Sequence, residues 1–167
     1  ATGIVTVTGN ADVDTITLDS GYTGSVTIST AAGADIIDLS SSSATVTFTS
    51  AADVDTITAG SGALTITDTG AGADIVIMGA GTLTATTLGN DADILRITNG
   101  QLTSADTAAG GAGSDLIQLT AAATLVDADF TNITLFEEIE SDTNNVALTL
   151  TGGAEFVGSG ISTVTGG

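Results

Sequence analysis

"GGAGSDLIQL", residues 110–119, decides how this chain is read. Glycines at 110, 111 and 113 mark a turn, and Asp115 closes it. Ile117 and Leu119 then fall on one side of a short extended run. The same arrangement recurs upstream: "DTITL" from Asp14, "DIIDL" from Asp35, "DTITA" from Asp55, "DIVIM" from Asp74 and "DILRI" from Asp93. Successive aspartates (14, 35, 55, 74, 93, 115) are 21, 20, 19, 19 and 22 residues apart. Midway between them lies a second set of short runs, "IVTVT", "SVTIS", "TVTFT", "ALTIT" and "TLTAT". Each period thus holds two strands and two turns, and a repeat of this length is the mark of a stacked architecture.

Alternation sorts the faces. On the Asp-led strands the inward set is Ile16/Leu18, Ile37/Leu39, Ile57/Ala59, Val76/Met78, Leu95/Ile97 and Ile117/Leu119. On the other strands it is Val5/Val7, Val26/Ile28, Val46/Phe48, Leu64/Ile66 and Leu83/Ala85. Small and mid-sized aliphatics of this kind suit a thin core between two close sheets. The expected fold is all-β, a right-handed parallel β-solenoid (a β-roll or narrow β-helix) with coils of about 20 residues and two strands per coil. The rival is an antiparallel sandwich, which shows strands and turns at similar intervals.

Composition excludes several functions. Arg96 is the one basic residue against 20 acids, for a formal charge of −19. Nucleic acid and anionic membrane both need Lys and Arg, so neither is an expected partner. No stretch is long and apolar enough to enter a bilayer. A charge this high with few aromatics also marks disordered chains, but 42% of the residues are hydrophobic and they recur periodically. Without His, Cys or Lys the chain lacks the usual bases and nucleophiles, and no isolated pair of acids stands out for glycoside chemistry, so no enzyme is expected. Glu137 and Glu138 are neighbours, and neighbours on an extended strand face opposite ways.

Stacked coils would align the six aspartates in a column with neighbours roughly 5 Å apart. Adjacent carboxylates there repel by about 3 kcal/mol at an effective dielectric of about 20. Hard divalent cations would relieve this, and Ca²⁺ tolerates irregular sets of carboxylate and carbonyl oxygens. Two places before each aspartate stands Asp12, Gly33, Asp53, Gly72, Asp91 or Gly113. The aspartates would add ligands, and the glycines would let carbonyls turn to an ion. The expected metal residues are therefore Asp14, Asp35, Asp55, Asp74, Asp93 and Asp115 with these six turn residues. The plainer alternative is that each aspartate caps its turn through its side chain.

"GGAGSDLIQ", residues 110–118, resembles the RTX nonapeptide G-G-x-G-x-D-x-U-x in full, and "TGAGADIVI" and "TAAGADIID" nearly match it. The resemblance covers residues 1 to about 120 and implies Ca²⁺ between equivalent turns of successive coils. The opposite turns ("SSSSA", "GSGA", "GAGT") mostly lack the aspartate, and the coils outrun two nonapeptides. A ladder on one edge is the expectation.

The second strand set carries Thr outward, as in Thr6/Thr8 and Thr47/Thr49, and resembles the face of β-solenoid antifreeze proteins. On the other sheet Ile36, Ile75, Ile77, Ile94 and Leu116 make a partly apolar outward stripe, a surface for contact. The expected domains are a solenoid of about six coils over 1–120, a bulky acidic insertion or cap over 121–145, and a further coil over 146–167 leading into a continuation. "DFTNITLFEEIE" within the insertion resembles segments of large bacterial surface-layer and adhesin-like proteins of the RTX kind. Together the resemblances imply a secreted, type I-exported module of a bacterial cell-surface protein, S-layer-like, that folds and self-assembles into a lattice or filament when Ca²⁺ binds outside the cell. A cell-surface glycan is a further partner of such a module. An adhesin or biofilm-matrix spacer and an ice-binding surface are the alternatives.

Overall fold

A computed structural model of the chain describes residues 3–141 and 147–166. The chain winds as a β-solenoid of about seven turns, each of about 21 residues. The first coils give β1 (Ile4–Thr8), β2 (Thr15–Thr17), β3 (Ser25–Ser29), β4 (Ile36–Asp38), β5 (Thr45–Thr49) and β6 (Thr56–Thr58). The middle coils add β7 (Leu64–Asp68), β8 (Ile75–Ile77), β9 (Leu83–Ala85), β10 (Ile94–Ile97), β11 (Thr107–Ala109) and β12 (Leu116–Leu119). Beyond them lie β13 (Ala123–Val126), β14 (Ile133–Thr134), β15 (Glu138–Ser141), β16 (Leu148–Thr151), α1 (Ala154–Gly158) and β17 (Thr163–Thr165).

Each coil gives one strand to each of two sheets. One sheet runs β1-β3-β5-β7-β9-β11-β14, the other β2-β4-β6-β8-β10-β12-β15-β17. Their pairings among the described residues are parallel, which removes the sandwich. Parallel pairing follows from the repeat: each strand meets its own counterpart one coil on, so like residues stack on like. Ile16, Ile37, Ile57, Val76, Leu95, Ile117 and Ile139 form one inward column. Ile28, Phe48, Ile66, Ala85, Ala108 and Ile133 form its counterpart on the facing sheet. From Ile37 and Ile28 onward these residues are fully buried. β1 and β2 end their sheets, so Val5 is 41% exposed although it belongs to the inward set.

The outward Thr row is regular in one column, Thr6, Thr27, Thr47, Thr65, Thr84 and Thr107. The second column runs Thr8, Ser29 and Thr49, and then a shift in register puts Asp68 where Thr67 was expected. A carboxylate thus breaks the two-column hydroxyl face. On the other sheet Ile36 is exposed, whereas Ile75, Ile77, Ile94 and Leu116 are half-buried.

Residues 121–141 do two things at once. β13 leaves the two sheets and pairs with β16, and Phe130 packs edge-on against Phe156 at 5.1 Å between ring centroids. β14 and β15 return to the two main sheets and add a coil to the stack. The last part of the proposed insertion, 142–145, lies outside the described residues.

Candidate functional site

From β2 to β12, the residue before each strand of the second sheet has an amide that finds no carbonyl in the ladder. A buried amide must be paired. Here the acid of the next coil accepts it. The N–H of Asp14 donates to Asp35 Oδ1 at 2.8 Å, that of Asp35 to Asp55 at 2.9 Å, and that of Asp55 to Asp74 at 2.7 Å. Asp74 donates to Asp93, and Asp93 to Asp115, both at 2.8 Å. The carbonyl of each acid accepts the first strand amide of the following coil, as in Ile75 N–H to Asp55 O at 2.9 Å. Asp14 thus ties the first coil to the second, and each aspartate after it ties its coil to both neighbours.

The column has a seventh member. Asp115 N–H donates to Glu137 Oε2 at 2.8 Å, and the strand register sets Glu138 beside Leu116. The sequence held this signal: "EEIES" from 137 aligns with "DLIQL" from 115 at the interval of 22 that separates Asp93 from Asp115. A longer acid in place of aspartate hid it.

Burial makes the column unusual. Asp55, Asp74 and Asp93 are fully inaccessible, and Asp35 and Asp115 are 1% exposed. In all five the second oxygen, Oδ2, is buried without a hydrogen-bond partner. Such an oxygen costs about 1–3 kcal/mol if left bare. Asp106 shows the ordinary solution: it is buried too, but its two oxygens accept from Leu83 N–H and from Thr103 N–H and Oγ1.

Four of these acids, Asp55, Asp74, Asp93 and Asp115, hold their protons more tightly than ordinary carboxyls. Desolvation is the main cause at Asp55, Asp74, Asp93 and Asp115; neighbouring amides offset it, and nearby acids add to it. Asp74 is pushed up to about 6 and Asp93 to about 8. The hydroxyl of Thr69 lies beside Asp74 and that of Ser50 beside Asp55, and each eases the charge. Both hydroxyls also reach carbonyls, Thr69 that of Leu88 and Ser50 that of Ala31, so neither proton is committed to the carboxylate. Leu88 holds the corresponding place before Asp93 and offers no donor.

The turn residues expected as ligands make a second, outer column. Asp12, Asp53 and Asp91 are exposed, and they alternate with Gly33, Gly72 and Gly113. The alternation is steric. A Cβ on Gly72 would run into the carbonyl of Asp53, and one on Gly113 into that of Asp91. Asp53 and Asp91 have φ of 76° and 74°. Asp53 Oδ2 accepts Gly33 N–H at 3.1 Å. The structural repeat at this edge is thus two coils, not one.

Among the described residues no three acid side chains converge so as to hold a metal by themselves. A hard cation would need carbonyl oxygens as well. The turn at Gly110 offers them: the place a Cβ would take there lies 2.6 Å from Asp115 Oδ2 and directly against the carbonyl oxygen of Leu135. A free buried carboxylate oxygen and a carbonyl oxygen thus both pack against Gly110, a pair that fits calcium in donor type.

Two surface grooves are open to solvent. One is lined by Asp68, Gly70, Thr87 and Asn90, the other by Asn99, Thr124 and Thr149, and no ladder acid lines either. Among the described residues no helix is long and apolar enough to cross a membrane. No protein-family model, curated protein or solved structure matches the chain.

Proposed function

We propose that this chain is a non-catalytic structural module, a stretch of rigid rod in a secreted bacterial cell-surface protein of the S-layer kind, strengthened by Ca²⁺ outside the cell. The observation that carries this reading is the buried acid column, whose free oxygens call for a proton or a cation. Asp115 and the Leu135 carbonyl would hold the metal, with Glu137 adjacent. When bound there, calcium would supply the positive charge that the chain's own single cation does not. Arg96 cannot serve, because it is spent on the outer face, where its Nε donates to Gln118 at 2.7 Å.

Lack of catalysis is supported by chemistry. The chain has no His, Cys or Lys, and its aligned acids are engaged with backbone amides rather than lining a groove. The partly apolar stripe of Ile75, Ile77, Ile94 and Leu116 supports lateral self-association. An adhesin spacer would share the rod but stay monomeric, so light scattering in Ca²⁺ separates the two.

The test of the calcium reading is thermal unfolding followed by circular dichroism, with EGTA and with millimolar Ca²⁺. A site filled about a thousandfold above its dissociation constant adds about 4 kcal/mol to stability. The midpoint is expected to rise by several degrees in Ca²⁺. Identical midpoints would contradict the reading.

A further inference from the structure

Of the chain's six asparagines only Asn99 is followed by glycine; the others precede Ala11, Asp91, Ile133, Asn145 and Val146. Asparagine is chemically labile because its carboxamide carbon lies within reach of the next residue's amide nitrogen. A Cβ on that next residue crowds the ring that would form, and Gly100 has none. Asn99 and Gly100 are both exposed, in the added turn between β10 and β11. Gln101 N–H closes the turn on the Thr98 carbonyl at 3.2 Å, and Gly100 has a φ of 75°. Among the described residues the Gly100 N–H has no hydrogen-bond partner. Nothing lies within 4 Å of the point a Cβ on Gly100 would take, so the turn is open to water.

The carboxamide is held at one end only. Asn99 Oδ1 accepts Thr124 N–H at 2.9 Å. That donor sits on the oxygen that takes up negative charge when Cγ is attacked. The Asn99 amide nitrogen has no partner among the described residues, whereas that of Asn132 is engaged, donating to the Ser104 carbonyl at 3.2 Å. We propose that Asn99–Gly100 is a self-modification site of the folded chain. The Gly100 nitrogen gives its proton to solvent and bonds to Asn99 Cγ, and the carboxamide nitrogen leaves as ammonia, which closes a cyclic imide. Water then opens the ring at one of its two carbonyls. One opening leaves aspartate; the other leaves isoaspartate, in which the main chain runs through the former side chain. One water is consumed and one ammonia released. Either product adds a negative charge to a chain of formal charge −19. The groove lined by Asn99, Thr124 and Thr149 thereby turns from uncharged to anionic.

The test is incubation of the whole folded chain at pH 7.5 and at pH 5.5, read by anion exchange and by mass spectrometry of its peptides. Circular dichroism before and after shows that the chain stays folded. A more acidic species should accumulate, faster at pH 7.5, where the attacking nitrogen is more often deprotonated. Its mass change, amide to acid, should fall at Asn99, with isoaspartate present there. Asn99→Gln keeps a carboxamide but needs a larger ring, and the acidic species should be lost. Gly100→Ala crowds the ring and should slow the conversion. Three results would each overturn the proposal: an acidic species that forms at the same rate in Asn99→Gln, a folded chain in which Asn99 reacts no faster than Asn10 or Asn90, or conversion at Asn99 only in urea.

Discussion

The two edges of this solenoid are joined in opposite ways. At the acid edge, side chains bind backbone: each carboxylate reaches across one coil to an amide. At the other edge, backbone packs on backbone in the middle coils, and Asp106 alone among the acids described there accepts an amide one coil away, that of Leu83. Ser61 N–H donates to the Ser42 carbonyl and Gly81 N–H to that of Gly60, and a Cβ on Gly62 would collide with the carbonyl of Ala44. Where the packing is not kept, that edge swells. It is short between Ile57 and Leu64 but holds an added turn between Ile97 and Asp106, with Leu102 buried in it and Gln101 Nε2 bonded to the Met78 carbonyl. The acid edge keeps its register through the same coils. A hydrogen-bonded carboxylate demands a fixed distance from its partner, whereas a turn of backbone contacts accepts extra residues on its outside.

That contrast can be broken most severely at the acid edge. Deleting Ala73 would pull Asp74 out of line and turn Val76 from the core to the surface, because a slip of one residue inverts every side chain. Loss of the cooperative unfolding transition is expected in urea melts. A sharp transition at unchanged denaturant concentration would mean that the column does not set the register. Asp74→Ala is gentler. It strands the Asp55 amide and should cost about 1–3 kcal/mol in the same melts. Asp74→Asn retains an acceptor for that amide and should recover most of the loss at neutral pH.

Acidity sharpens the contrast further, since Asp55, Asp74, Asp93 and Asp115, all raised by burial, lie on one edge. Asp74 and Asp93 have values of about 6 and about 8 in the folded chain, against 3.8 for an ordinary aspartate. The folded chain therefore keeps protons that the unfolded chain has released. The stability these acids contribute is fully present below about pH 4 and is lost as pH climbs through 6 and 8. Urea midpoints without calcium should fall across that window, and Asp93→Asn should flatten the fall. The smallest effect belongs to the opposite edge. Two residues inserted after Gly100, where a Cβ would meet open space, lengthen a solvent loop. The cost should stay near 0.6 kcal/mol or less.

Much of this architecture was legible in the sequence because the repeat acts twice. The interval between aspartates places the strands, and alternation within each strand places the core, so Ile37, Ile57, Val76 and Leu95 were identifiable as inward residues. The alignment of the six aspartates followed from the same interval. Their direction did not. Spacing shows that side chains stack but not whether they face water or the core, and here they turn inward to satisfy amides. The capping alternative held part of the answer: Asp14 does cap its own turn by accepting Asn10 N–H, but from Asp35 onward the side chain pairs with backbone of the neighbouring coil. Glu137 escaped notice because a different acid had replaced aspartate inside a segment whose bulky residues resemble a cap. The steric basis of the Asp/Gly alternation was also invisible, since it depends on a carbonyl one coil away.

The central claim is that these carboxyl groups are buried, bonded to backbone through one oxygen and left bare at the other. Carbon-13 NMR of the aspartate carboxyls across pH 3–9, in calcium-free buffer, tests it residue by residue. Asp74 should titrate near 6 and Asp93 near 8, and Leu88→Thr, which puts a hydroxyl beside Asp93, should bring the latter down. If both groups instead titrate near 3.8 in the folded chain, they face water, and the buried ladder is not what holds the coils together.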